Sequence, residues 1–184
     1  MSNDKTQITP VKGYDTTRMI FSEPISGSIP DSKPKIEFKR ININTKNEDG
    51  TVGELIIPTS RIFSYGVSEN LNQESGKVSG WTMPLVLWNK DGASEEEQDW
   101  TTTFENIFNK CVDHVVENRE ELELFEVTRT DLQKSKGGMS GGLYWKKEKF
   151  VDNGKTIMRV VPGSGPTLYA KLIFSKKNDK FISS

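Results

Sequence analysis

Apolar and polar residues alternate along several short segments of the chain, a pattern typical of half-buried β-strands. The cleanest alternation covers residues 166–177, where Leu168 and Leu172 fall on one face of a strand and Tyr169 and Lys171 on the other. The other segments with strand composition are 36–44, 52–58, 81–88 and the two arms LYWKKEKF and KTIMRVV of a hairpin around Asp152-Asn153-Gly154. The hydrophobic pattern therefore predicts a mainly β protein.

One segment instead has the period of an amphipathic helix. Ser94 and Glu97 form a capping box ahead of it, and acidic residues crowd the first turn, where the helix dipole favours them. The apolar stripe consists of Trp100, Phe104, Ile107, Phe108, Cys111 and Val115. We predict a helix from about 95 to 118, with Cys111 as a small core hydrophobe and His114 at the margin of the stripe.

The order of these elements indicates an architecture. Two strands, a long polar loop over 60–80, a third strand, a helix and further antiparallel strands match an OB-fold, a Greek-key barrel with a helix between strands 3 and 4. Other α+β arrangements share this order. We therefore predict a mainly β fold with one long helix (β-barrel/α+β) over residues 36–184. Residues 1–35, interrupted by prolines, are predicted to form an irregular N-terminal arm, and Pro84 predicts an edge or a bulge in the third strand.

Charge is strongly segregated along a chain whose net charge is only −1. Residues 91–126 carry twelve acids against two basic residues, a net charge of −10. Residues 127–184 carry twelve Lys and Arg against four acids, a net charge of +8. A basic third of a nearly neutral chain is typical of a surface that meets phosphates. Lysines that keep strands soluble and protect sheet edges give the same pattern.

Composition argues against metal, disulfide and membrane chemistry. One cysteine and one histidine cannot build a disulfide framework or a zinc finger, so we expect neither a metal nor another cofactor. No apolar run approaches the roughly 18–20 residues that span a bilayer. The N-terminal residues MSNDKTQITP lack the basic start and apolar stretch of a signal peptide. We expect an intracellular protein that does not enter the membrane.

The glycine-rich stretch GGMSGGLYW, residues 137–145, invites two catalytic interpretations. A phosphate-binding loop needs a Lys-Ser or Lys-Thr pair and a following helix, whereas this stretch lacks the lysine and precedes a strand. Residues 138–142 have the letters of a Gly-x-Ser-x-Gly nucleophile elbow, but the helix that should follow is missing and His114 precedes the serine. We therefore predict that the protein is not an enzyme.

Aromatic and basic residues interleave in three places, a combination typical of surfaces that stack bases and track phosphates. If LYWKKEK is one strand, Tyr144 and Trp145 point to opposite faces, and we favour the face that Trp145 shares with Lys147 and Lys149. The complete set of candidate nucleic-acid-binding residues is Arg61, Phe63, Tyr65, Tyr144, Trp145, Lys146, Lys147, Lys149, Tyr169 and Lys171. Core aromatics with solubilising lysines explain any single one of them equally well.

The blocks MPLVLWNKDG, LYWKKEK and GPTLYAKLIFSKKN carry a family resemblance. Over roughly residues 36–180 the sequence resembles proteins of nucleocytoplasmic large DNA viruses that look like single-stranded DNA-binding proteins of the phage and herpesvirus replication type, built on an OB-fold. The resemblance implies that longer members continue with further strands beyond residue 184.

The functional expectations follow from this resemblance together with the stacking pattern. We expect sequence-independent binding of single-stranded DNA in viral replication or recombination, with replication proteins as further partners. The expected location is the viral replication site in the host cytoplasm or nucleus, or the virion. The alternative is a virion structural or protein-interaction protein that has kept the fold without DNA binding.

Overall fold

The computed structural model describes residues 5–29, 34–73, 75–88, 92–133, 139–140, 142–175 and 180–183. The strands are β1 (Gln7–Ile8), β2 (Met19–Phe21), β3 (Ile25–Ile29), β4 (Ile36–Arg40), β5 (Ile43–Lys46), β6 (Val52–Ile56), β7 (Phe63–Ser64), β8 (Ser68–Leu71), β9 (Val78–Val86), β10 (Met139–Ser140), β11 (Leu143–Tyr144), β12 (Lys147–Asp152), β13 (Lys155–Val160), β14 (Thr167–Ser175) and β15 (Lys180–Ser183). The helices are α1 (Glu95–Glu117), α2 (Arg129–Gln133) and a short 3-10 helix, Thr16–Arg18. The predicted class, mainly β with one long helix, is confirmed.

The chain divides into two compact units. Residues 1–59 and 102–129 form unit 1, and residues 60–101 and 130–184 form unit 2. The long helix α1 therefore contributes its first residues to unit 2 and the remainder to unit 1. The sequence predicts one fold over residues 36–184 preceded by an arm over residues 1–35. The structure forms two units, and the boundary between them falls at other residues.

Unit 1 contains a four-stranded sheet in the order β1-β6-β5-β2, together with the hairpin β3–β4. Its core consists of Tyr14, Met19 and Ile107, so the segment predicted as an irregular arm supplies two core residues as well as the strands β1 to β3. The Tyr14 hydroxyl lies 2.8 Å from the buried Thr45 Oγ1, and desolvation raises the pKa of this tyrosine. Two of the prolines that predicted irregular structure, Pro24 and Pro34, lie outside these strands, and Pro30 lies outside the described residues.

The strands β5 and β6 pair antiparallel, and the turn between them contains Asp49 and Gly50. The Asp49 carboxylate accepts hydrogen bonds from the Thr51 hydroxyl at 2.6 Å and the Thr51 amide at 2.9 Å, and these bonds lower the pKa of Asp49. Gly53 in β6 allows the chain preceding β1 to pass closely, because a Cβ at this position would lie 2.5 Å from the Thr6 Cα.

Helix α1 begins as its capping box predicts. The Ser94 amide donates to Glu97 Oε2 at 2.8 Å, and the Glu97 amide donates to Ser94 Oγ at 3.2 Å. Glu95, Glu96 and Glu97 occupy the first turn, where the helix dipole stabilises negative charge. Cys111 packs against the core of unit 1, as predicted for a small hydrophobe, and burial raises the pKa of its thiol.

Unit 2 contains a seven-stranded sheet with the path β10-β11-β14-β9-β7, in which β15 also pairs with β14 and β8 with β9. The predicted strand over 166–177 is confirmed as β14, which pairs with β9 over six residue pairs from Thr167↔Val86 to Leu172↔Trp81. The described strands form four separate sheets, none of which closes into the barrel of the predicted OB-fold.

The hairpin around Asp152-Asn153-Gly154 is confirmed as β12–β13, a two-stranded sheet separate from the larger one. Asn153 and Gly154 have positive φ values of 47° and 78°, as the tight type I′ turn of a hairpin requires. The Arg159 guanidinium lies 3.9 Å from the centre of the Phe150 ring and contacts Glu148 Oε1 at 2.8 Å. These contacts link the two strands across one face of the hairpin.

Candidate nucleic-acid interface

One face of the seven-stranded sheet collects aromatic side chains from three strands. Directly paired residues share a face of a sheet, so the register defines this face. Phe63 of β7 pairs with Val86 of β9. Val86 pairs with Thr167 of β14, and Thr167 pairs with Tyr144 of β11. We name this surface the aromatic face; it consists of Phe63, Thr82, Pro84, Val86, Tyr144, Thr167, Tyr169 and Lys171.

The aromatic face carries one edge-to-face ring pair, and a second pair links it to the adjoining loop. The rings of Tyr144 and Tyr169 lie 5.9 Å apart at an interplanar angle of 80°. The rings of Phe63 and Tyr65 lie 5.0 Å apart at 89°. Three of the four rings are well exposed, with accessible fractions of 57% for Phe63, 80% for Tyr65 and 43% for Tyr169. This exposure leaves ring surface available to a flat ligand.

The opposite face of the same sheet is apolar and more deeply buried. Leu143 of β11 has an accessible fraction of 0%, and Leu168 and Leu172 of β14 are half-buried. The two faces of β14 follow the alternation that the sequence predicted. Because Leu143, Leu168 and Leu172 supply apolar packing on that face, the exposed rings on the aromatic face are not explained as the core of this sheet.

Pro84 explains why Tyr65 projects beside the aromatic face. The strand β7 pairs as far as Ser64↔Leu85, and β8 begins at Ser68↔Thr82, so residues 65–67 make no ladder pair opposite Pro84. Proline has no amide hydrogen to donate to a neighbouring strand. The Gly66 amide instead donates to Ser64 Oγ at 3.1 Å. The edge or bulge predicted at Pro84 is not found, because β9 lies inside the sheet and pairs with β14 without a break through Tyr169↔Pro84. The gap lies instead between β7 and β8, and it leaves the Tyr65 ring largely in solvent.

The sequence predicted that Trp145 shares a strand face with Lys147 and Lys149. In the structure Trp145 lies between β11 and β12, so it shares no strand face with these lysines. The expected continuous strand is broken after Tyr144, because the next pair of the ladder would place Trp145 opposite Pro166, which has no amide hydrogen. The half-buried Trp145 ring packs edge-to-face against Trp88, with ring centres 5.6 Å apart. Tyr144, rather than Trp145, is thus the aromatic residue that faces outward with Tyr169.

The basic candidate residues are distributed over several places in unit 2. Lys171 lies on the aromatic face, opposite Thr82. Arg61 precedes β7 and is exposed. Lys146 is exposed in the link between β11 and β12, where its carbonyl accepts the Val161 amide at 2.9 Å. Lys147 and Lys149 are exposed on hairpin β12–β13 and share one of its faces.

Sequence reasoning missed the polar and small members of the aromatic face. Thr82 and Thr167 belong to it through the register, and Thr82 Oγ1 lies 3.3 Å from Ser68 Oγ and 3.3 Å from Asn70 Oδ1. The alternation within each strand was readable, but the pairing that brings Thr82 beside Lys171 was not. The prolines Pro84 and Pro166 were the available signals, since each marks where a ladder ends.

The other candidate chemistries gain no support from the described residues. Among the described residues, no three or more His, Cys, Asp and Glu side chains lie close enough together to bind a metal ion. Among the described helices, none combines the length and the apolar character needed to cross a membrane. Gly137, Gly138 and Gly141 of the glycine-rich stretch lie outside the described residues. Cys111 and His114 both belong to unit 1, whereas the residues of the aromatic face belong to unit 2.

The fold and this surface define a mainly β protein of the α+β class whose open sheet presents exposed aromatic rings. The chain belongs to a family described as protein of unknown function (DUF2738), whose sequence profile matches residues 12–184. A comparison with curated proteins gave no match, and a comparison with solved structures gave none.

Proposed function

We propose that the protein binds single-stranded DNA on the aromatic face, without sequence preference and without catalysis. The observation that carries the proposal is two edge-to-face ring pairs, Tyr144–Tyr169 and Phe63–Tyr65, on and beside one face of a sheet, with three of the four rings exposed. Aromatic platforms on a sheet suit single strands, because every base has a flat face that can stack. The resemblance to viral replication proteins supports a role in viral DNA replication, which is part of the proposal.

The spacing of the rings favours contact with more than one base. Neighbouring strands lie about 4.8 Å apart, so Phe63 and Tyr144, at opposite ends of a four-strand row, are roughly 14 Å apart across the sheet. That span is too long for one base. We therefore expect the two aromatic pairs to stack different bases of one strand, with Lys171 and the exposed lysines Lys146, Lys147 and Lys149 contacting phosphates.

Substitution of Tyr169 by alanine tests the stacking directly. Loss of one stacked base costs about 1–3 kcal/mol, so Tyr169→Ala is expected to weaken binding of fluorescein-labelled oligo(dT) about 5- to 150-fold in fluorescence anisotropy. Phe125→Ala is the control, because Phe125 is also an exposed aromatic residue, with an accessible fraction of 66%, but belongs to unit 1. Equal losses in both variants would contradict a specific stacking role for the aromatic face.

The salt dependence tests the contribution of the lysines. Each contact to a phosphate of a single strand contributes about 0.7 to the slope of log K against log salt concentration. Replacing Lys146, Lys147 and Lys149 together is expected to lower that slope by up to about 2 if all three contact phosphates. If the unaltered protein shows no affinity for oligo(dT) even at low salt, the proposal is wrong and the alternative, a structural or protein-interaction role, takes its place.

A further inference from the structure

Unit 1 contains a cavity that the proposed function does not use. Its volume is about 910 Å³, within the range of roughly 300–1,000 Å³ that small-molecule sites occupy. It lies among the hairpin β3–β4, the strands β2 and β5, helix α1 and the segment 122–124. All of its lining residues belong to unit 1.

The floor of the cavity is aromatic and rests on the core. The rings of Phe21 and His114 stack face to face with their centres 4.0 Å apart and an interplanar angle of 7°. Phe21, Ile43 and Cys111 also pack against the core residues of unit 1. A floor made by stacked rings on a packed core is a preformed apolar surface, which suits a flat apolar ligand.

The charged residues at the cavity are already paired with one another. Lys35 Nζ lies 2.7 Å from Glu37 Oε1, and Lys39 Nζ lies 2.8 Å from Glu123 Oε1. Lys39 also donates to the Glu121 carbonyl at 2.7 Å. The two cations and the two anions therefore balance, and neither lysine is left to attract an anion. This charge balance favours an uncharged ligand.

His114 provides a directed polar group beside the stacked floor, and Ser26 and Ser28 of β3 also line the cavity. The Asn118 amide nitrogen donates to the His114 carbonyl at 2.7 Å, which fixes the orientation of that amide, and the same nitrogen lies 3.2 Å from His114 Nδ1. Nδ1 is therefore the acceptor, and the neutral ring carries its hydrogen on Nε2. Among the described residues, Asn118 is the hydrogen-bond partner of this ring, and it bonds at Nδ1.

We propose that this cavity binds an uncharged small molecule with a flat, mainly apolar body and one hydrogen-bond acceptor, which receives the hydrogen of His114 Nε2. The cavity volume, the stacked floor, the balanced charges and the donor on the stacked His114 ring all point to the same chemical class. The proposal is independent of DNA binding, because no residue of the aromatic face takes part.

Prodan, an uncharged naphthalene that carries a ketone, is a suitable probe because its emission responds to apolar and hydrogen-bonding surroundings. We expect saturable 1:1 binding to the full chain. Val115→Trp, which places a large ring in the cavity lining, should weaken binding at least tenfold. Val116→Trp is the matched control, since Val116 is the adjacent helix residue but does not line this cavity. The Prodan affinity of this variant should stay within about twofold of that of the unaltered protein.

Cys111 gives a second measurement that needs no variant, because it is the only cysteine of the chain and it lines the cavity. Saturating Prodan is expected to slow alkylation of Cys111 by N-ethylmaleimide at least fivefold. This result stands even if Val115→Trp fails to fold. Binding of Prodan without protection of Cys111, or no saturable binding at all, would overturn the proposal.

His114→Phe tests the hydrogen bond separately from the apolar floor. Phenylalanine keeps a ring that can stack on Phe21 but has no donor, so Prodan affinity should fall about three- to tenfold, the effect of one hydrogen bond. Binding of 2-propylnaphthalene, which lacks an acceptor, should be unchanged when it is measured through protection of Cys111. Unchanged Prodan affinity in this variant would refute the assignment of His114 as the donor.

Discussion

Gly165 is the position at which the smallest change should have a large effect on unit 2. A Cβ at residue 165 would lie 2.5 Å from the Trp88 carbonyl oxygen and 2.7 Å from the Trp88 Cδ1. Ordinary contacts of a Cβ begin near 3.4 Å, so the neighbouring groups would have to move by about 0.9 Å. Gly165→Ala therefore forces a displacement of backbone as well as of a side chain.

The surroundings of Gly165 resist such a displacement. The Trp88 ring packs against Trp145, and on the other side the Leu87 amide donates to the Pro166 carbonyl at 3.0 Å. Overpacking typically costs about 1–3 kcal/mol, and we expect the upper part of this range here because a carbonyl is involved. For a chain of 184 residues, a loss of about 2–3 kcal/mol corresponds to a fall in melting temperature of roughly 4–12 °C.

Thermal unfolding followed by tryptophan fluorescence measures this effect, and Gly80→Ala is the matched control. Gly80 also lies in unit 2, yet a Cβ there meets only Asn70 Nδ2 at 3.9 Å. Replacing a glycine without strain stabilises a protein by about 0.4–1 kcal/mol. Equal melting temperatures for the two variants would refute the reasoning from close contact.

Four further predictions concern the cap, the core and two ionisable groups. Ser94→Ala removes the acceptor of the Glu97 amide and should cost about 1 kcal/mol in urea unfolding followed by circular dichroism. Leu143→Ala, at a fully buried position, should cost about 2–5 kcal/mol in the same assay. The lowered pKa of Asp49 stabilises the fold above the ordinary carboxyl pKa, and that contribution is lost as pH falls through the lowered value, so Asp49→Asn should flatten the acid side of the urea-midpoint profile. The raised pKa of the Cys111 thiol should shift the pH profile of its alkylation to higher pH than that of free cysteine.

Each of these predictions has a contrary outcome. A Ser94→Ala variant as stable as the original would mean that the capping hydrogen bonds are replaced by water at no cost. A small loss for Leu143→Ala would mean that the site collapses around the shorter side chain. An unaltered acid profile for Asp49→Asn, or an alkylation profile for Cys111 like that of free cysteine, would contradict the stated hydrogen bonding or burial.

Strong periodic signals in the sequence predicted the individual elements well. The alternation of β14, the Asn-Gly turn of hairpin β12–β13 and the capping box of α1 are local features, and each is present in the structure. Local signals cannot report which strands become neighbours. The predicted closed barrel therefore differs from the open sheet, because closure depends on pairing between distant segments.

The sequence predicted individual residues of the candidate site but not their arrangement, because the arrangement depends on which strands pair. Phe63, Tyr144 and Tyr169 were identified by residue type, and the structure brings them onto one face. The preference for the face of Trp145 assumed one strand through residues 144–149, whereas β11 ends at Tyr144 and β12 begins at Lys147. The residue that ends this pairing, Pro166, directly precedes β14. Its position opposite Trp145 follows from the register and cannot be read from the sequence of β11.

The N-terminal segment shows how short strands escape sequence analysis. The strands β1 and β2 contain two and three residues, too few to display any alternation. They are held by their partners, β1 by the parallel pairs Gln7↔Leu55 and Ile8↔Ile56, and β2 by β5. The one sequence signal of this pairing is Gly53, a glycine within a strand at the point where the backbone of Thr6 approaches closely.

The gap opposite Pro84 has a consequence for how the length of this chain can vary. Residues 65–67 already lie outside the ladder, and the Gly66 amide is satisfied locally by Ser64. Extra residues inserted between Tyr65 and Val67 would therefore break no hydrogen bond between strands, whereas the same insertion within β9 or β14 would shift the register of every pair beyond it. Relatives are thus free to differ in length beside the aromatic face, and an engineered tag or loop graft at this point should leave the sheet intact.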